Sequence, residues 1–176
     1  MSTPATDSLL LQKLFLFSVL GAEESVYITT PYFLPDQSLR HVLIEKAKAG
    51  VDVRVLVPNE LNDYKSVYYA SYYSYQELLE AGIQIFEYQP AFIHTKTLIT
   101  DGVWSVVGSA NMDNLSRKIN EENVIGVEDT AFAKELTDIF LKAISNAKEI
   151  TLEEWKSRSW WDRVREFFDL KFVQQY

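Results

Sequence analysis

Cysteine is absent from the 176 residues, and histidine occurs only as His41 and His94. Disulfides and thiolate metal sites are therefore excluded, and a histidine-rich metal centre has too few ligands. Long apolar runs are missing as well. The most apolar stretch, Leu9 to Leu20, is interrupted by Gln12 and Lys13, whereas a membrane-spanning helix needs about 20 residues. It has no basic flank or small-residue cleavage site before it, so no signal peptide is expected. Positive charge is scarce too: 17 Lys and Arg face 25 Asp and Glu, for a formal net charge of -8. Nucleic-acid binding gains its affinity from basic surface through counterion release, so nucleic acid is not the expected partner.

What is present suffices for one domain with a proper core. A chain of this length buries roughly 70% of the surface it exposes when unfolded, and 47% of its residues are hydrophobic. Residues 8–21 read as a helix, with Leu9, Leu10, Leu14, Phe17 and Leu20 near one face. Residues 26–33 read as a strand ending in a proline-punctuated loop. Asp36 is a candidate N-cap for a helix running to Gly50, with Leu39, Val42, Leu43 and Ala47 facing inward. Residues 51–57 (VDVRVLV) alternate as a strand, 64–81 read as a tyrosine-rich helix, and 83–88 as a further strand. Two such helix–strand repeats predict an α/β domain with strands running parallel through right-handed crossovers. A hairpin over 92–109, a strand over 122–128 and a helix over 130–148 complete it. Residues 1–150 form the expected domain, and 151–176 a separate aromatic and basic amphipathic segment.

The chemistry concentrates in His94-x-Lys96-x4-Asp101-x6-Gly108-Ser109-x-Asn111. Asp101-Gly102 between two apolar runs is a hairpin signal. A two-residue loop pairs Thr100 with Val103 and, in the same register, His94 with Ser109. Paired residues share a face, so His94, Lys96, Ser109 and Asn111 are expected to project together. Neutral His94 can attack phosphorus through one ring nitrogen and form a covalent intermediate. Its other nitrogen needs an acceptor, for which Glu122 is the candidate. Lys96, Asn111 and Ser109 suit the non-bridging phosphate oxygens. Gly108 leaves room for a close backbone approach. Asp101, on the turn and of the opposite parity, has a structural role. His41 lies on the polar side of its helix and is assigned none. Six fixed residue types at these spacings arise by chance at a frequency on the order of 10⁻⁶ at average usage.

This run resembles the HKD motif of the phospholipase D superfamily. The resemblance extends to Thr30-Pro31-Tyr32-Phe33-Leu34-Pro35-Asp36, Val51 to Val55, Tyr75 to Gly82, Tyr88-Gln89-Pro90 and Glu122, which look like the C-terminal half of bacterial cardiolipin synthases. It implies a phospholipase D-type domain, a mixed and mostly parallel β-sheet flanked by helices. It also implies phosphatidyl transfer through a phosphohistidine, one phosphatidylglycerol-like lipid donating to the hydroxyl of another without metal or cofactor. The superfamily site joins two motifs across a pseudo-two-fold axis, and this chain has one. It is expected either to be half of a longer enzyme, with chain upstream of Met1, or to pair with a second copy. Asp113-Asn114-Leu115-Ser116 departs from the Asp-x-Arg-Ser of many cardiolipin synthases and leaves the acceptor alcohol open. A homodimeric phosphodiesterase or endonuclease of the same superfamily and a non-catalytic assembly or lipid-docking module are the alternatives.

The enzyme reading implies a peripheral place on a bacterial cytoplasmic membrane, on its inner side. The final segment, with Trp155, Trp160, Trp161, Phe167, Phe168 and Phe172 among Lys156, Arg158, Arg163, Arg165 and Lys171, suits a bilayer interface or packing against protein. The tyrosines Tyr64, Tyr68, Tyr69, Tyr72, Tyr73 and Tyr75 are expected chiefly to pack at the core and its rim.

Overall fold

The computed structural model describes residues 4–60, 65–112 and 122–159, with side chains described over 10–60, 68–112 and 122–159. A first helix, α1 (Pro4–Leu20), leads into β1 (Ser25–Thr29). Helix α2 (Gln37–Lys48) and β2 (Asp52–Pro58) follow. Asp36 caps α2 as expected, its carboxylate accepting from the Leu39 amide at 2.9 Å. The tyrosine-rich stretch is not one helix. It divides into α3 (Lys65–Ser71), a 3₁₀ turn at Tyr72–Ser74 and α4 (Tyr75–Glu80). Then come β3 (Gln84–Tyr88), β4 (Thr97–Thr100), β5 (Trp104–Gly108) and β6 (Val124–Glu128). The chain continues through α5 (Thr130–Ile144), β7 (Ala147–Ile150) and α6 (Leu152–Lys156). Helix α5 stops short of Lys148, because residues 147–150 pair with β3 instead.

The strands form one mixed sheet in the order β6-β5-β4-β1-β2-β3-β7. Among the strands, parallel pairing joins β1, β2 and β3, and the flanking strands are antiparallel; an isolated parallel bridge links Phe33 to Met112. Side-chain alternation explains why helices cover both faces. Val26 and Ile28, Val53, Val55 and Val57, Ile85, Leu98 and Val106 enter the core under α1, α2 and α4. Their neighbours of opposite parity, Leu56, Phe86 and Ile99, face α5, where the Tyr27 and Phe140 rings stack at 5.0 Å. A sheet buried on both faces needs such near-continuous apolar strands.

Helix α1 corrects the expected face. Phe15 and Val19 point into the core, whereas Leu10, Phe17 and Leu20 are exposed. A helix apolar on nearly every side gives periodicity no single stripe to select.

The hairpin turn is as expected, but its register is not. Asp101 (φ 52°) and Gly102 (φ 62°) are both left-handed, and the Val103 amide donates to the Thr100 carbonyl at 3.1 Å. These are the marks of a two-residue hairpin turn. The ladder nevertheless pairs Thr100 with Trp104. Val103 is an extra, bulged residue, and its carbonyl accepts instead from the Asp129 amide at 3.0 Å.

Asp101 ties this turn to the sheet. Its carboxylate accepts from the amides of Glu23, Glu24 and Ser25, each at 2.8 Å. Partial burial alone would raise its pKa, but the three amides outweigh that and hold it below the ordinary carboxylate value. A depressed pKa contributes stability above the unfolded value of about 4, and that stability is lost as pH falls through the folded value. Asp101→Ala is expected to cost about 1–2 kcal/mol at neutral pH, a modest figure because solvent reaches the carboxylate. Urea unfolding across a pH series checks this. The gap between variant and wild type should narrow below about pH 4.

Candidate active site

One edge of the sheet gathers the carboxyl ends of β1, β2 and β3, the start of β4 and β6, and the end of β5. Carboxyl ends of parallel strands are where open α/β sheets bind ligands. His94 and Lys96 lie here, in the segment entering β4.

His94 is exposed and Lys96 half-buried. The Lys96 Nζ stands 3.1 Å from both ring nitrogens of His94 and donates to the His94 carbonyl at 2.8 Å. In a neutral imidazole, only the nitrogen without a proton can accept from that ammonium. The Phe92 ring lies against the imidazole, with centroids 5.7 Å apart and planes tilted by 42°.

Across the hairpin, the Gly108 amide donates to the Lys96 carbonyl at 3.4 Å. A Cβ on Gly108 would stand 2.2 Å from the Asn123 carbonyl oxygen and 2.8 Å from the Val124 Cα, so only glycine fits this approach. The Ser109 amide donates to the same Asn123 carbonyl at 2.9 Å, and the Asn123 amide donates to Ser109 Oγ at 3.0 Å. The Ser109 hydroxyl donates to the Glu122 carboxylate. Asn111 is buried close by in sequence. The Leu34 amide donates to the Met112 carbonyl at 2.8 Å, seating the loop after β1 against this end of the motif.

The expected pairing of His94 with Ser109 is therefore corrected. The one-residue bulge shifts the ladder so that Lys96 faces Gly108, and Ser109 turns toward the lead-in to β6. Among the described contacts, Glu122 meets Ser109, while the His94 ring meets Lys96 and Phe92. Asp101 lies at the far end of the hairpin. His41 is exposed on α2.

Two neighbours of the motif drew no role from the sequence. Phe92 stands two residues before His94, a spacing that invites contact along an extended chain. The Thr30–Leu34 loop carries Pro31 and Pro35 beside it, which mark a turn but not what it packs against. Both belong to the floor or wall of the same edge. Phe15, Thr30, Lys96, Gly108, Ala110 and Met112 line a small cavity beneath it.

The tyrosines pack as a network. The Tyr68 and Tyr72 hydroxyls both donate to Glu87, at 3.0 and 2.8 Å, and Tyr75 is buried beneath them. Burial foremost, with Glu87 nearby, pushes both phenols well above their ordinary range. Trp155 is buried against Tyr72 and Tyr75, and the Arg158 guanidinium covers the Trp155 ring. Tyr64 has no described structure, and neither has Asp113 to Ser116 nor the segment from Trp160 onward. No described helix is long and apolar enough to cross a membrane.

Comparison with known proteins agrees with this geometry. The family model described as "Cardiolipin synthase, PLD-like domain" matches residues 18–144. The cardiolipin synthase A of Proteus mirabilis is 35% identical over 165 residues, covering 94% of this chain and 34% of its own. The chain thus spans about a third of the length of the curated relatives it matches. Among solved structures, NUC of Salmonella typhimurium, a phospholipase D family member, superposes with a TM-score of 0.71 at 20% identity, over 80% of this chain and 90% of that one. The phosphatidylserine synthase of Haemophilus influenzae gives 0.72 at 14% identity, over 94% of this chain and 42% of that one. With the motif at the sheet edge and the family model spanning most of the domain, the chain belongs to the phospholipase D-like family of cardiolipin synthases.

Proposed function

We propose that this chain supplies one half of a phosphatidyltransferase site. The observation that carries the reading is the exposed His94 ring with the Lys96 ammonium 3.1 Å from its nitrogens, at the ligand-binding edge of the sheet.

His94 attacks the phosphorus of a phosphatidylglycerol-like donor through its unprotonated nitrogen. The bond from phosphorus to the glycerol headgroup breaks, and a histidine from a second motif gives the leaving oxygen its proton. That histidine then takes the proton of the acceptor hydroxyl, which attacks phosphorus and frees His94. Lys96 and Asn111 hold the non-bridging oxygens as charge builds. Ser109 and Glu122 brace the strand end beneath them. The partner motif comes from the rest of a longer chain or from a second copy, and the assembly works as a peripheral protein on the inner face of a bacterial membrane. Trp155 is committed to the core against Tyr72 and Tyr75, so it is the aromatic and basic stretch beyond it, over 160–176, that assists at that surface.

The test uses the isolated chain with detergent-dispersed phosphatidylglycerol, following glycerol release and cardiolipin formation. Where a second copy supplies the partner motif, the reading predicts transfer whose rate rises with the square of chain concentration at low concentration; where the rest of a longer chain supplies it, transfer appears only when that half is added. Cleavage of nucleic acid without any lipid turnover would contradict it.

A further inference from the structure

The connection over 89–96 carries His94 from β3 to β4, past the carboxyl ends of β2 and β1, without regular structure. It is tied down at both ends. The Gln89 amide donates to the Asn146 carbonyl at 3.4 Å, and Asn59 Nδ2 donates to the Gln89 carbonyl at 3.2 Å. Four residues on, Ile93 packs against the cluster of Leu56, Phe86, Ile99 and Phe140 on the α5 side of the sheet. In an extended chain the two neighbours of such an anchor point the other way together. Here they are Phe92 and His94, and their rings meet.

A nucleophilic imidazole needs its plane fixed so that one nitrogen faces phosphorus. Glu122, the carboxylate expected to do this, meets the Ser109 hydroxyl instead. Lys96 does not fix the plane either. Its ammonium is 3.1 Å from both ring nitrogens, whereas a ring lone pair lies in the ring plane. No in-plane position comes so close to both nitrogens without meeting the ring carbons, so the ammonium lies over the face. In the proposed transfer it also turns to the phosphate oxygens. Phe92 is the ring contact, among the described residues, that stays in place throughout.

We propose that Phe92 is the positioning residue of His94. Its half-buried ring, 5.7 Å away between centroids and tilted by 42°, holds the imidazole plane through attack and release. The inference rests on the half-site reading and names the group that prepares its nucleophile. Misplacing a reacting group by about 1 Å costs about 10²-fold in rate, so a freely turning ring is a large loss.

The chain has two histidines, so its imidazoles give two sets of NMR signals. His41, exposed on α2, is the internal reference, and His41→Gln assigns the sets. The ring current of Phe92 should displace the His94 ring protons from those of His41, and relaxation should show a well-ordered His94 ring. Phe92→Leu keeps an apolar side chain but removes the ring. It should move the His94 shifts toward those of His41 and loosen that ring on the picosecond–nanosecond timescale. The His41 signals and circular dichroism should not change.

In transfer assays, kcat should fall about 10- to 100-fold in Phe92→Leu, with KM within about twofold. Phe92→Tyr restores a ring and should recover most of the rate. A His94 ring as ordered in Phe92→Leu as in wild type overturns the proposal. So does a wild-type kcat in Phe92→Leu, or a Phe92→Tyr protein no better than Phe92→Leu. The two readings fail separately. If His94→Ala abolishes transfer while Phe92→Leu alters neither signals nor rate, the half-site reading stands without this inference. If His94→Ala still transfers lipid and Phe92→Leu loosens the ring, the positioning contact stands and the half-site reading falls.

Discussion

Replacing His94 by alanine is expected to lower phosphatidyl transfer by about 10⁴-fold or more, the scale seen when a nucleophile is removed from a coupled site. Stability should change by no more than about 0.5 kcal/mol, because the ring is exposed and fills no part of the core. The two readouts together separate a catalytic residue from a structural one. Lys96→Met should retain the nucleophile yet lose about 10²–10³ in turnover, since the charge forming on the phosphate oxygens would lack its ammonium. Initial rates on phosphatidylglycerol and thermal unfolding of the same preparations check both statements. A His94→Ala protein with near-normal transfer would move the chemistry to another residue.

Gly108→Ala should produce the largest structural effect of any single methyl group in the described fold. The added carbon would lie 2.2 Å from a backbone oxygen and 2.8 Å from a backbone carbon of the lead-in to β6, and neither can move aside as a side-chain tip could. Strands β5 and β6 must separate locally, at a cost of about 3 kcal/mol by analogy with overpacked cores. The same shift breaks the clamp in which the Ser109 amide and hydroxyl hold Asn123 and Glu122. Activity should therefore fall further than the loss of folded protein explains. Denaturant unfolding with rates normalised to folded protein measures the two losses apart.

The contrast between these sites explains what the sequence could reveal. Local rules were enough for β2, whose VDVRVLV alternation appears directly as Val53, Val55 and Val57 in one core. They were enough for the Asp101-Gly102 turn, whose left-handed residues are fixed within four positions of chain. They were not enough for the register of the hairpin. Val103 is bulged while its carbonyl binds the amide of Asp129, a contact 26 positions away that no hairpin rule contains. The error then spread by parity, because a one-residue slip reverses every face. It paired Ser109 with His94 where the fold turns it to Glu122.

Strand β7 was missed for a similar reason. Ala147 to Ile150 continues a helical pattern and becomes a strand only through pairing with β3. The motif residues themselves stood out because their types and spacing suggest a chemistry, whatever the register. Which face α1 turns to the core was not legible, since leucine and phenylalanine occur on nearly every side of it.

The central claim is that His94 forms the covalent phosphorus bond. The most direct test quenches the chain during turnover on phosphatidylglycerol under conditions that preserve phosphohistidine, then maps the adduct by mass spectrometry. The account predicts one phosphatidyl group on the peptide containing His94, absent from the His94→Ala protein. Continued turnover with no adduct at His94, or with the adduct on another residue, would contradict it.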